Sequence, residues 1–339
     1  MTSDDPLIAP LIRYSHVLSA GLRTLAHLQL ATREPTNVPK AIASLRRAHG
    51  IAKSNGCLRA ACDDACNLYS TCLKYGGGVP REEALTGLRK AKDQAASLGY
   101  AHCHVELLLA LGLGHLRTET RTWQADETEL DLAETYLDKA IELVEPSSAM
   151  HVQALGHRCL CHLLRATAAR VASVAEGREL PPHSETVSAL RCASEALQIL
   201  GSMSVPNSDG THGPDATTLI NMAIATLLAQ RAAPDAPVDG LAAATAARAL
   251  LVAAQRCATE PEQRQKACVT MVGALEMSGD REGAISLVLE LVAAAGAAGA
   301  PCRAAQLRLQ EGYQHKEAGE LHAALGSFKE ALRLESAAA

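Results

Sequence analysis

The sequence predicts an all-α fold, a right-handed α-solenoid of about seven antiparallel helix pairs. The first observation is composition: apolar residues make up 48% of the 339 residues, whereas aromatic residues make up only 2%. A chain rich in Ala and Leu and poor in aromatic residues favours helices that pack closely and forms strands poorly. The second is that apolar residues recur at helical spacing, and the third is that this pattern repeats along the chain. All-β folds and doubly wound sheets are therefore not expected.

The clearest helix pair lies at the C-terminal end of the chain. Two amphipathic segments flank Gly319, and the second has Ala324, Phe328 and Ala331 at positions i, i+4 and i+7. This spacing places the three side chains on one apolar stripe of a helix. Gly319 supplies the permissive backbone that a tight turn between two helices needs.

Four upstream segments repeat this stripe, and each is preceded by another predicted helix. Their apolar positions are Ala284, Val288 and Leu291; Ala133, Leu137, Ala140, Ile141 and Leu143; Ala84, Leu88, Ala91 and Ala95; and Ala41, Leu45, Ala48 and Ala52. A pattern of small and large apolar residues that recurs after every second helix is typical of stacked helix pairs.

The repeats predict seven helix pairs and three segments. The pairs extend approximately over 7–54, 57–98, 101–145, 147–200, 214–257, 261–297 and 301–335. Interruptions are expected at Thr120–Glu129, Gly177–Ser184 and Ser202–Pro214, the last of which is either a tolerated insertion or a regulatory, partner-binding loop. We divide the chain into N-terminal pairs (1–146), divergent pairs with loop insertions (147–260) and C-terminal pairs with a capping helix (261–339).

The last helix pair resembles the tetratricopeptide repeat (TPR). It departs from that pattern at His315, where the family has a tyrosine, and at Ser336, where the family has a proline. The resemblance is strong over 265–336, moderate over 36–146 and weak over 147–260. The residues that carry it are Gly312 in the first helix, Gly319 and Glu320 at the turn, and Ala324, Phe328 and Ala331 in the second helix.

The TPR resemblance implies a concave groove lined by the first helix of each pair, and a partner protein bound in it. Transferred by register, the last pair would present Gln306, Leu309, Tyr313 and Lys316, and the pair near Tyr75 would present Cys66, Tyr69 and Leu73. An exposed groove tyrosine makes a good contact anchor. The alternative for Tyr69 and Tyr313 is packing between repeats. The Lys, Asn and Arg set that clamps a chaperone's carboxylate tail in some TPR arrays is not found.

No pattern predicts a catalytic residue, a cofactor or a metal ligand. The most metal-like run is HRCLCH, but on a helix His157 and Cys161 share one face while Cys159 and His162 share another. A tetrahedral zinc site needs four converging ligands, so structural roles are expected for these residues. The chain contains neither a phosphate-binding GxxxxGK[ST] loop nor a strand followed by GxGxxG.

Charge and cysteine usage bear on partners and compartment. A formal net charge of −5 gives no reason to expect nucleic acid, and no apolar run is long enough to span a membrane. Eleven cysteines within helical patterns indicate an intracellular, reducing compartment, cytoplasmic unless a removed transit peptide directs the chain to an organelle. The acidic stretch Glu119–Glu145 is either a solvated helix face or a docking surface for a basic partner.

These observations predict a non-catalytic scaffold that binds a peptide or an extended segment of a protein and serves as a subunit of a larger multiprotein assembly. No small-molecule ligand is expected. The alternative is a regulatory adaptor, or a peptide-sensing protein similar to vesicle-fusion adaptors, that changes conformation on binding.

Overall fold

The structure is a computed structural model that describes residues 8–338, apart from 33, 35, 118–125, 147, 178–183, 203–215, 233–239, 259–260, 298–300 and 318. The described residues form fourteen α-helices and no strand. The helices are α1 (Ile8–Ala31), α2 (Asn37–Ser54), α3 (Leu58–Tyr75), α4 (Arg81–Ser97), α5 (Ala101–His115), α6 (Glu127–Leu143), α7 (Ala149–Ala175), α8 (Ser184–Ser202), α9 (Ala216–Ala232), α10 (Gly240–Cys257), α11 (Pro261–Met277), α12 (Arg281–Ala297), α13 (Pro301–Glu317) and α14 (Leu321–Ala338).

These bounds confirm the predicted all-α helical repeat and the seven helix pairs. Most of the expected interruption at Thr120–Glu129, most of Gly177–Ser184 and nearly all of Ser202–Pro214 lie outside the described residues. Among the described helices, none combines the length and apolar character needed to cross a membrane.

The chain divides into two compact units, Met1–Ala168 and Ala169–Ala339, and the boundary falls within α7. In the first unit, consecutive helices from α1 to α6 pack on one another, and the odd-numbered helices α1, α3 and α5 also pack in sequence. In the second unit, consecutive helices from α8 to α14 pack in the same way, and α9 also packs on α11. Each unit therefore buries its apolar stripes between neighbouring helices. The three-segment division stays a prediction.

The predicted stripes form the core. Ala133, Leu137 and Ala140 of α6 have no exposed surface, and Ala324 and Ala331 of α14 are buried. The corresponding positions of α2, α4 and α12 are buried as well.

The prediction that Leu143 belongs to the core is wrong. Leu143 is 49% exposed, whereas the next residue, Val144, is buried. Val144 continues the i, i+4, i+7, i+11 series from Ala133, and Leu143 lies about 100° away from it around the helix.

Glycines end several helices at the predicted turns. Gly279 and Gly319 adopt φ values of +79° and +80°, in the left-handed region that disfavours residues with a Cβ atom. Gly76, which has φ +69°, ends α3, and its amide donates to the carbonyl of Cys72. At the start of α6, the side chain of Asp126 accepts a hydrogen bond from the amide of Glu129 at 2.8 Å, which caps the helix.

Candidate functional site

The residues predicted for the C-terminal binding face share one side of α13 and reach solvent. Gln306 and Lys316 are exposed, Leu309 is 39% exposed and Tyr313 is 58% exposed. The Tyr313 ring meets the Phe328 ring of α14 edge-to-face, with centroids 5.3 Å apart and an interplanar angle of 71°. Phe328 therefore packs against the Tyr313 ring, and the rest of the Tyr313 side chain is exposed and accessible to a partner.

The residues predicted for the N-terminal binding face pack between helices. Cys66, Tyr69 and Leu73 of α3 are partly buried against the apolar cluster shared by α3, α4 and α5. The Tyr69 ring lies so close to Gly87 that a Cβ atom added to this glycine would lie 2.3 Å from the ring. The His49 and Tyr69 rings meet edge-to-face, with centroids 6.2 Å apart. Burial raises the pKa of the Tyr69 phenol. The two predicted faces lie in different units, and on α3 the packing contacts dominate.

A buried polar network connects α4, α5 and α6. Arg81 donates to the carboxylate of Glu129 and to the carbonyl of Arg117, the latter at 3.1 Å. His115 is 1% exposed; its Nδ1 lies 3.0 Å from Glu129 Oε2, and its ring stacks on Tyr136 with centroids 5.6 Å apart. Because this carboxylate bridges two helices, the network holds α6 against α4 and α5.

The pKa values in this network shift for opposing reasons. Burial lowers the pKa of His115, although the hydrogen bond that its ring donates to Glu129 raises it in part. Burial would raise the pKa of Glu129, but hydrogen bonds from Arg81 and His115 hold it below the usual carboxyl value. Both shifts favour a neutral imidazole beside an ionised carboxylate.

Ion pairs neutralise much of the acidic face of α6. Arg165 of α7 contacts Glu127 at 2.9 Å, Asp131 at 2.8 Å and Glu134 at 2.8 Å. Arg158, two turns earlier on α7, lies 3.0 Å from Asp138. These carboxylates therefore join α6 to α7. The docking hypothesis for Glu119–Glu145 stays a prediction, and residues 118–125 of that stretch lie outside the described part of the chain.

A second acidic group is buried between α1 and α3. Asp64 has no exposed surface; Ser19 donates to it at 2.5 Å and Arg23 donates to it at 3.0 Å. Burial raises the pKa of Asp64, although the hydrogen bond from Ser19 and the charge of Arg23 oppose that shift. The arrangement fixes the first helix of the array to the third.

A cluster of potential metal-donor atoms lies between α3 and α5, and it includes Asp63, the neighbour of Asp64 in the chain. One ligand atom from each of Asp63, Cys103 and Glu106 lies within 4.8 Å of the other two. The Tyr100 hydroxyl donates to Asp63 Oδ2 at 3.2 Å. Burial raises the pKa of Tyr100 to about 12. Burial likewise raises the pKa of the Cys103 thiol. Within the described residues, this is the one group of three such side chains close enough together that it could hold a metal ion.

The metal-like run HRCLCH does not provide such a group. His157, Cys159, Cys161 and His162 are all buried in α7. The Cys161 thiol donates to the carbonyl of Leu130 at 3.5 Å, and His162 Nε2 lies 3.9 Å from Glu134. The structural roles expected for this run stay a prediction.

Sequence reasoning missed the cluster of Asp63, Cys103 and Glu106 because its members lie on two helices about forty residues apart. A usable signal existed in the i, i+3 spacing of Asp63 with Cys66 and of Cys103 with Glu106, on the first helices of consecutive pairs.

Comparisons with known proteins add little. No protein-family model matches the chain, and no curated protein matches it. Among solved structures, one similar chain is described as a circular tandem repeat protein with novel repeat topology and enhanced subunit contact surfaces. It is 16% identical, the match covers 96% of this chain and 84% of that chain, and the TM-score is 0.30.

Proposed function

We propose that the chain is a non-catalytic, TPR-like scaffold that binds an extended segment of a partner protein and acts within a larger assembly. The observation that carries the proposal is the exposed strip on α13, where Leu309 and Tyr313 lie one helical turn apart between Gln306 and Lys316. We assign binding to this strip, because the corresponding residues of α3 are packed between helices.

The strip has the features of a peptide contact. Tyrosine contributes a large, rigid contact area with a polar tip, and tyrosines are common among the residues that dominate binding energy. Tyr313 is held at its base by Phe328, and Gly312 leaves room for that ring. A side chain that is already ordered loses little entropy when a partner binds, which favours affinity. Gln306 and Lys316 would supply hydrogen bonds at the rim.

The test starts from peptides selected on the purified full-length chain from a displayed library of extended segments. Tyr313→Ala should weaken binding of the selected peptides by about tenfold or more, because truncation of an anchor costs about 1–2 kcal/mol or more. Val252→Ala is the matched control, since Val252 of α10 is 40% exposed and lies on another helix. Equal affinities for wild type, Tyr313→Ala and Leu309→Ala would contradict the assignment.

The same peptides separate a scaffold from the alternative, a regulatory adaptor. Small-angle scattering of the full chain should be unchanged by a saturating peptide if the binding face is preformed. A change in the radius of gyration on binding would favour the adaptor instead.

A further inference from the structure

The cluster between α3 and α5 combines two helices with the same donor spacing. Asp63 and Cys66 are three residues apart on α3, and Cys103 and Glu106 are three residues apart on α5. Residues at i and i+3 lie on the same face of a helix, so each helix directs two donors to one side. The contact between α3 and α5 brings the ligand atoms of Asp63, Cys103 and Glu106 within 4.8 Å of one another.

Basic side chains already flank both carboxylates of this cluster. Arg23 lies 3.7 Å from Asp63 Oδ2, and His102 Nδ1 lies 3.7 Å from Glu106 Oε1. Between them, the two half-buried carboxylates approach each other beside the Cys103 thiol, which has no exposed surface. Like charges that come together raise each other's energy, so a bound cation would stabilise this arrangement further.

The surroundings of Asp63 orient it as a ligand. Tyr100 and Arg23 both contact Oδ2, and the Cys103 thiol also forms a hydrogen bond with this carboxylate. The Tyr100 ring is itself covered by the Arg59 guanidinium, 5.5 Å from the ring centroid. A hydrogen bond from an outer residue that holds a ligand carboxylate in place is a regular feature of protein metal sites.

We propose that Asp63, Cys103 and Glu106 bind a zinc ion, and that water completes its coordination. The ligand atoms of these three side chains are the ones that converge within 4.8 Å of one another. Three protein donors and a water suit a tetrahedral zinc ion. Calcium and magnesium require oxygen donors throughout, so the buried Cys103 disfavours them.

Zinc at this position would join the first helices of two consecutive pairs in the first unit. The Cys103 thiol gives up its proton to solvent when it coordinates the ion as a thiolate, so binding releases a proton. The site is independent of the α13 strip, and its test does not depend on finding a partner protein.

The experiment uses the full-length chain, freed of metal by a chelator and titrated with zinc under reducing conditions. We expect one zinc ion per chain, measured by atomic spectroscopy and calorimetry, with proton release. Cys103→Ser and Glu106→Gln should each weaken zinc binding by at least about tenfold. Cys72→Ser is the matched control, because Cys72 is also a buried thiol on α3 but lies outside the cluster, and its affinity should equal that of wild type.

Cobalt supplies a second readout. Cobalt-loaded wild type should show a thiolate-to-cobalt charge-transfer band, and Cys103→Ser should reduce this band. If Cys103→Ser fails to fold, Glu106→Gln and Tyr100→Phe carry the test, since Tyr100→Phe removes only the hydroxyl that orients Asp63 and should weaken zinc binding by about tenfold. Absence of stoichiometric zinc binding, or binding that none of these changes weakens, would overturn the proposal.

Discussion

The close approach of Gly312 and Phe328 allows a direct test of packing in the last helix pair. A Cβ atom added at Gly312 would lie 2.4 Å from Cε1 and 2.6 Å from Cδ1 of the Phe328 ring. Two carbon atoms in favourable contact are about 3.5–4.0 Å apart, so Gly312→Ala forces the ring or the helix to move. Overpacking of this kind costs about 1–3 kcal/mol.

A second glycine in the same pair isolates this cost. Gly326 of α14 is exposed, and a Cβ atom there would meet nothing within 4 Å. Each Gly→Ala change gains up to about 1 kcal/mol in helix propensity, so that gain cancels when the two variants are compared. Gly312→Ala should therefore be about 1–3 kcal/mol less stable than Gly326→Ala. For a unit of this size, the difference corresponds to roughly 2–12 °C in Tm.

The assay is thermal and urea unfolding of the full-length variants, followed by helical circular dichroism. Phe328→Leu added to Gly312→Ala should recover part of the loss, because a smaller side chain removes the contact, and a double-mutant cycle measures that coupling. Equal stability of Gly312→Ala and Gly326→Ala, or no coupling to Phe328, would refute the packing argument.

Two further predictions concern ion pairs of the first unit. Glu129→Gln should lower the free energy of unfolding near pH 7 by about 1–2 kcal/mol. The pKa of Glu129 is lower in the folded protein than in the unfolded chain. The ionised carboxylate therefore stabilises the fold above the usual carboxyl pKa, and this stabilisation is lost as the pH falls through the pKa of the folded state. Unfolding free energies compared at several pH values should converge in acid, and a constant difference would contradict this origin. Arg165→Met should cost roughly 1–2 kcal/mol, less at high salt, because its three carboxylate contacts are partly exposed to solvent. The exposed Arg333→Met is the control, and a loss for Arg165→Met that does not change with salt would point to packing instead of charge.

Sequence periodicity predicted the helices and most of the core because each helix buries a stripe that its own spacing defines. Leu45, Leu88 and Leu137 are fully buried as their positions in the stripes require. Leu143 shows the limit of sequence periodicity. Although its side chain is apolar, Leu143 lies about 100° around the helix from the buried face and is exposed. Periodicity identifies the face of a helix, but it does not identify which helix covers that face.

The sites depend on contacts between helices, so the sequence predicted them less well. Tyr69 and Tyr313 are both predicted to lie on the groove face of a first helix, yet Tyr69 packs against Gly87 of α4 whereas Tyr313 extends into solvent beside Phe328. The glycine that receives Tyr69 comes from another helix, and no rule of spacing within α3 reveals it.

Counting charges along the chain also fails to show which charges are paired between helices, and α6 illustrates this. Counted alone, its carboxylates form an acidic face suited to a basic partner. Arg158 and Arg165 are seven residues apart on α7, so both project toward α6, where Asp138 and Glu134 accept them. A partner that docked through these carboxylates would have to compete with two arginines already held by the chain. The strip on α13 requires no such exchange, because Tyr313 already presents more than half of its surface to solvent. Mutational mapping of a partner should therefore begin at α13.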